Sequence, residues 1–212
     1  MQFIDEQLDA YACAHTSPES ELLRKINRET HLEVLQPRML SGHFQGRFLS
    51  MLSKMIQPQR ILEIGTYTGY SALCLAEGLA SGGKIVTIDI NEELAPKVQG
   101  YFDESSFSKQ IEFILGDALK VLPELDEKWD MVFIDADKQN YLAYYHLVFP
   151  HVPSGGYIIA DNVLWSGKVI QHDKNDKDTV LIREFNDFVR NDQRVESVLL
   201  PIRDGLSLVR KK

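Results

Sequence analysis

The stretch 60-RILEIGTYTGYSALCLAEGLA-80, continued by 84-KIVTIDI-90, decides the fold. RILEIG is a short apolar run closed by glycine, the pattern of a buried strand. YSALCLAEGLA carries Ala72, Leu75, Ala76 and Leu79 at helical spacing, so it reads as a helix with one apolar face. KIVTIDI reads as a second strand. A strand, a tight turn, a helix and a strand within about 30 residues predict a βαβ unit, whose two strands are parallel.

Working outward, the alternation repeats. EELAPKVQGYFDE reads as a helix with a weak point at Pro96, QIEFILG as a strand and DALKVLPEL as a short helix. DMVFIDA, NYLAYYHLVF and GGYIIADN follow as strand, helix and strand, and TVLIREFNDFVRN as a helix. VESVLLPIRDGLSLVRK reads as two strands around Asp204-Gly205, a hairpin signal. The expected class is α/β: a Rossmann-like, mostly parallel sheet with helices on both faces and a C-terminal antiparallel hairpin strand. Before Arg60 there is no strand signal. Residues 1–57 read as a helical extension, with Ser17-Pro18 as cap and first helical residue and a further helix at about 46–56. The expected division is a helical cap or dimerisation segment, 1–57, and a catalytic domain, 58–212.

Composition bounds the function. The 212 residues suit one domain with a modest appendage, and 44% hydrophobic with 25% charged residues is the balance of a soluble globular chain. No apolar run reaches the roughly 18 residues of a membrane span. The start, MQFIDEQLDAYACAH, lacks the apolar core of a signal peptide. Cys13 and Cys74 have neither metal spacing nor a disulfide framework, so a reducing cytoplasm is the expected compartment. A net charge of −8 disfavours nucleic acid unless a local basic patch forms, for which Arg24, Lys25, Arg28, Arg38 and Arg47 are the candidates. The six histidines, His15, His31, His43, His146, His151 and His172, make no catalytic pattern.

In a parallel α/β sheet, ligands bind beyond the carboxyl ends of the strands. After the first strand, Gly65 and Gly69 allow a tight turn and close backbone approach, while Tyr67 stands where a dinucleotide fingerprint needs its second glycine. After the second, Asp89 can accept both hydroxyl hydrogens of a ribose, or cap the segment at Glu92-Glu93. Together they point to an adenosine-type ligand without a pyrophosphate. After the third comes Gly116-Asp117-Ala118, where Asp117 can meet an adenine edge or cap the next helix. Asp135 follows the fourth strand and Asp161-Asn162 the fifth. If those strands are neighbours, three oxygen donors converge, a set suited to a hard divalent cation. Lys138, three residues beyond Asp135, is a candidate proton acceptor beside such an ion. Asp137 reads as a cap for the helix at Tyr141.

With these residues in view, the chain resembles the class I S-adenosylmethionine-dependent O-methyltransferases. It is most similar to the cation-dependent caffeoyl-CoA O-methyltransferase family and more distantly to catechol O-methyltransferase. The resemblance rests on FLSMLSKMIQPQRILEIGTYTGYSAL, GKIVTIDIN, FIDADKQNY, GGYIIADNVLWSGKV and DGLSLVRK. It implies that Glu63, Gly65 and Ser71 hold the methionine end and turn of S-adenosylmethionine, and that Ser41 contacts its amino-acid end. It implies that Asp89 binds the ribose, that Asp117 and Ala118 contact the adenine, and that Asp135, Asp161 and Asn162 bind the cation. Asp135 also touches the cofactor in this reading. The cation is expected to be Mg²⁺, with Mn²⁺ or Ca²⁺ as alternatives. Lys138 matches the lysine proposed as base in the catechol relatives. The expected acceptor is a small phenolic vicinal diol, and relatives suggest a homodimer. The polar stretch SGKVIQHDKNDKD and the short N-terminal arm point away from caffeoyl-CoA itself. The competing readings are methylation of 5-hydroxyuridine in tRNA and, in another class, a non-catalytic S-adenosylmethionine-binding protein.

Overall fold

RILEIG and KIVTIDI form the parallel pair that their pattern demands. In the computed structural model, which describes residues 4–171, 173 and 176–212, β1 (Arg60–Ile64) and β2 (Lys84–Asp89) run parallel with Arg60 opposite Lys84 and Ile64 opposite Ile88. β2 pairs in parallel with β3 (Ile111–Leu115) from Ile85↔Ile111 to Asp89↔Leu115. The crossovers are α4 (Tyr70–Ala76) and α5 (Ala95–Glu104). These elements and the N-terminal helices form one compact unit, Asp5–Asp117.

α4 is buried on every side rather than on one face. The reason is α3 (Gly42–Ile56), which crosses it closely at two glycines. A Cβ on Gly46 would lie 2.6 Å from Tyr70 Cε1, and one on Gly78 only 2.2 Å from the Ser53 carbonyl carbon. α3 starts four residues earlier than its apolar pattern suggests, because the polar stretch Gly42–Gln45 joins it. The cap of the preceding helix also differs from expectation. α2 (Glu21–Glu33) is capped by Ser20, whose Oγ accepts from Leu23 N, and not by Ser17. A helix α1 (Glu6–Ala14) precedes it, capped by Asp5. Pro96 sits in the first turn of α5, where its missing N–H costs nothing, so it begins a helix rather than weakening one. The turn before it is held by Asn91, whose Oδ1 accepts from Glu93 N and Leu94 N.

The second unit holds Ala118–Lys212. There β4 (Met131–Ile134) runs parallel to β5 (Tyr157–Asp161), in register from Met131↔Tyr157 to Ile134↔Ala160. β7 (Leu206–Lys211) pairs antiparallel with β5 on one side and with β6 (Val195–Leu200) on the other. The hairpin between β6 and β7 turns through Arg203 and Gly205, both at positive φ. α6 (Ala118–Val121), α7 (Tyr141–Val148) and α8 (Lys177–Asn191) complete the unit. Tyr145 of α7 stacks on Phe149 and meets Phe185 and Phe188 of α8 edge-on, which packs the two helices together. The α/β class, the mostly parallel strands and the C-terminal antiparallel hairpin are as the sequence predicts. No helix among the described residues is long and apolar enough to cross a membrane.

Candidate active site

The turn after β1 is built around Asp89. Its Oδ2 accepts from the backbone N–H groups of Thr66, at 2.9 Å, and Tyr67, at 2.7 Å, and its Oδ1 accepts from Asn91 N at 2.9 Å. The carboxylate at the end of one strand thus fixes the loop at the end of its neighbour. Tyr67 is left-handed at φ 49°, and its hydroxyl donates to the Gln36 carbonyl at 2.9 Å. Such a conformation costs a non-glycine residue on the order of 1–3 kcal/mol and persists only where its surroundings impose it. Gly69, at φ 78°, begins α4 in a space that Phe102 would deny to any side chain. Glu63 is fully buried within β1 and accepts from Thr87 Oγ1 across the strand pair, while Thr87 also bonds Thr66 Oγ1 at 2.6 Å. Ser71 is buried in the first turn of α4, and Ser41 is buried at the start of α3. Gly65, Asp117 and Ala118 stand at their expected strand ends, Ala118 opening α6 in the second unit.

The ends of β4 and β5 bring the second group together. Their register ends with Ile134 opposite Ala160, so the next residues, Asp135 and Asp161, follow at the ends of neighbouring strands, which are spaced about 4.8 Å apart. Asp161 is 3% exposed, and its Oδ1 accepts from Asn162 N at 2.6 Å. Asn162 is left-handed at φ 59°. Lys138 Nζ donates to Asp135 Oδ1 at 3.2 Å, to the Ala136 carbonyl at 2.9 Å and to Tyr141 Oη at 2.7 Å. Its donors are thereby matched by three acceptors.

Tyr141 is the residue that the sequence reading missed. Its hydroxyl takes the Lys138 bond and donates to the Asp161 carbonyl at 2.9 Å, so it ties the end of β4 to the end of β5. Burial, and then the nearby Asp135, Asp161 and Asp137, hold its phenol well above the usual range, which keeps it a donor. A buried tyrosine needs a hydroxyl partner, and its place three residues after Lys138 was the available signal. Asp137 does not cap through its side chain. Its carboxylate instead accepts from Tyr144 Oη at 2.5 Å and Asn140 Nδ2 at 2.6 Å.

Beyond Asn162 the chain is again strained: Trp165, Ser166 and Gly167 all have positive φ, at 46°, 53° and 75°. Of the remaining candidates, His15, His31, His43 and His151 each bond a main-chain carbonyl oxygen, and His172 lies outside the described residues. Burial pushes the Cys74 thiol up to about 12, which keeps it unreactive. The basic patch is partly consumed. Arg47 is bidentate on Glu77, and Lys25 pairs with Glu104 at 2.6 Å.

Comparison with known proteins identifies the family. A family model described as O-methyltransferase matches residues 13–212. Caffeoyl-CoA O-methyltransferase 5 of Nicotiana tabacum is 38% identical over 187 residues, covering 82% of this chain and 77% of its own. The caffeoyl-CoA O-methyltransferase of Medicago sativa is 38% identical over the same length, covering 82% and 75%. Among solved structures, the O-methyltransferase from Bacillus cereus in complex with SAH has a TM-score of 0.89 at 32% identity, covering 97% of each chain. The SAH-bound methyltransferase of Podospora anserina has a TM-score of 0.90 at 26% identity, covering 98% and 94%. The chain belongs to the O-methyltransferase family, and it is an enzyme that transfers a methyl group from S-adenosylmethionine to oxygen.

Proposed function

We propose that this O-methyltransferase needs a divalent cation and methylates one hydroxyl of a small catechol-like vicinal diol. One observation carries the reading: the β4–β5 register puts Asp135 and Asp161 at the ends of neighbouring strands, with the amide of Asn162 next in the chain. The donor chemistry fits a hard ion. All three side chains offer oxygen, Asp161 is a buried carboxylate, and Asp135 already carries a positive group in Lys138. Among the described residues no group of three His, Cys, Asp or Glu could hold a metal, so the proposed site depends on the Asn162 amide as its third donor. A cation held there, Mg²⁺ by preference and Mn²⁺ or Ca²⁺ otherwise, favours the ionised form of a phenol whose pKa is ordinarily about 10.

The chain's own residues supply the rest. Asp135, Asp161 and Asn162 orient the diol through its oxygens, and Lys138 is the proposed acceptor of the phenolic proton. Asp89 has its Oδ1 and Oδ2 partly engaged by backbone amides, and it meets the ribose with its remaining acceptor capacity. Glu63, Gly65, Ser71 and Ser41 hold the methionine end of the cofactor, and Asp117 and Ala118 the adenine. We extend the reading to a cytoplasmic enzyme, because its two cysteines have no disulfide-framework spacing, and to a homodimer through segment 1–57. Exposed Leu8, Tyr11, Met51 and Met55 support the latter.

The test is transfer from labelled S-adenosylmethionine to catechols, caffeoyl esters and hypomodified tRNA, each with Mg²⁺ and with EDTA. Transfer to a diol that Mg²⁺ supports and EDTA abolishes is the expected result. Equal transfer in EDTA would remove the cation from the proposal.

A further inference from the structure

The segment that leaves the candidate cation residues, 163–171, is bent through Trp165, Ser166 and Gly167 at positive φ. A free loop does not keep two adjacent non-glycine residues there, so something must impose the shape. Two elements do. From α8, Arg183 donates Nε to the Val169 carbonyl at 3.0 Å and Nη2 to the carbonyls of Lys168 and Gln171, at 2.9 and 2.5 Å. One turn further along the same face, Asn186 Nδ2 donates to the Val163 carbonyl at 2.8 Å. From the β6–β7 hairpin, the Asp204 carbonyl accepts from Leu164 N at 2.8 Å, its carboxylate accepts from Ser166 N, and the Gly205 carbonyl accepts from Val163 N at 3.1 Å. A Cβ on Gly205 would lie 2.5 Å from Leu164 Cγ, so the hairpin is pressed against the loop.

The loop is therefore gripped by its carbonyls on one side and its amides on the other. Within it, Trp165 has an indole N–H that is buried and has no hydrogen-bond partner among the described residues. An orphaned buried donor and stored backbone strain are both costs that packing alone does not explain. The grip begins one residue after Asn162, so it also fixes the direction in which the chain leaves the Asp161–Asn162 corner.

We infer that Arg183 and Asp204 are positioning residues for methyl transfer, holding loop 163–171 in the bent shape that confines the acceptor beside Asp161 and Asn162. The inference rests on the proposed diol chemistry for its acceptor half. The planar guanidinium matters because one fork spans three carbonyls, which the point charge of a lysine does not.

The experiment has two arms. Trp129 and Trp165 are the only tryptophans, so Trp129→Phe leaves Trp165 as the sole fluorophore in the loop. In that background, acrylamide quenching of Trp165 is compared for the parent, Arg183→Lys, Arg183→Ala and Asp204→Asn. We expect quenching to rise at least twofold in the Arg183 variants while affinity for S-adenosylhomocysteine is unchanged. In the second arm, the same variants methylate an unsymmetrical catechol, 3,4-dihydroxybenzoate, with Mg²⁺. We expect the acceptor KM to rise about tenfold, the KM for S-adenosylmethionine to hold, and the ratio of the two monomethyl products to move toward unity. A purely structural loss lowers the active fraction and leaves that ratio alone. Unchanged quenching, or raised quenching with an unchanged acceptor KM and product ratio, overturns the inference. If Arg183→Ala does not fold, Arg183→Lys and Asp204→Asn decide it. A parent enzyme silent toward every diol overturns the proposed acceptor and this acceptor role with it, while the quenching arm still decides whether Arg183 sets the loop.

Discussion

Asp161 carries two jobs through different atoms, which makes its substitution informative. Its carbonyl accepts from Tyr141, and its carboxylate Oδ1 accepts from Asn162 N. Asp161→Ala removes only the carboxylate. Cation-dependent transfer should fall at least about a hundredfold, the loss of roughly 3 kcal/mol of transition-state stabilisation. Binding of S-adenosylhomocysteine, measured by calorimetry, should stay within about twofold of wild type. Loss of both together would mean that the residue holds the fold rather than the reaction. Tyr141→Phe removes the other link. It leaves the Asp161 carbonyl without that donor and takes one acceptor from Lys138, so urea unfolding should register a loss of about 1–3 kcal/mol. Asp137, the exposed carboxylate beside them, has no such consequence. Its bonds to Tyr144 and Asn140 stiffen the start of α7 and leave the β4–β5 corner untouched.

The joint between α3 and α4 is where helices meet at backbone distance, and it carries an ionic cluster. Gly78→Ala would push a methyl group into the Ser53–Lys54 peptide, which cannot move aside as a side chain can. A loss of about 2–3 kcal/mol is expected for such overpacking, seen as a Tm lower by roughly 4–10 °C. Beside it, burial alone would raise the Glu77 carboxyl. Hydrogen bonds from Arg47, Lys54 and Ser50 outweigh that and hold it at about 2. Its folded value lies below the ordinary 4.5, so its stabilisation is complete above pH 4.5 and is lost as pH falls from there through about 2. Arg47→Met with Glu77→Leu should flatten that limb in acid denaturation. These elements were unequally legible in the sequence. Strand ends could be read because apolar runs stop abruptly, and so Asp89, Asp135 and Asp161 were found. Total burial of α4 could not, because it depends on which glycines another helix presents. Tyr141, Arg183 and Asp204 were missed for a related reason: a tyrosine, an arginine and a turn aspartate look ordinary until the fold shows which carbonyls and amides they reach.

Across the whole molecule the charge is −8, and this separates a small acceptor from an RNA. Nucleic-acid affinity depends on releasing counterions from phosphates, so a protein with several phosphate contacts loses about 10³–10⁵ in affinity between 50 and 200 mM salt. Such contacts need cations free to leave their partners. Arg47, with 12% of its side chain exposed, is locked on Glu77, and Lys25 is bonded to Glu104. Lys97, which a patch on the same unit could recruit, is held by Glu29 and Glu33. Lys25, Arg47 and Lys97 are therefore neutralised before any polyanion arrives, and the net negative charge of the chain repels one. An uncharged diol bound as proposed, through short contacts at two oxygens, would feel little of this field. Turnover of a small diol should then change less than about twofold between 50 and 300 mM KCl at fixed Mg²⁺, whereas saturable tRNA binding should be absent at 150 mM. Micromolar tRNA binding with a steep negative salt slope, together with tRNA methylation, would reverse this assignment. It would require that Arg24, Arg28 and Arg38 build a patch strong enough to overcome eight net negative charges.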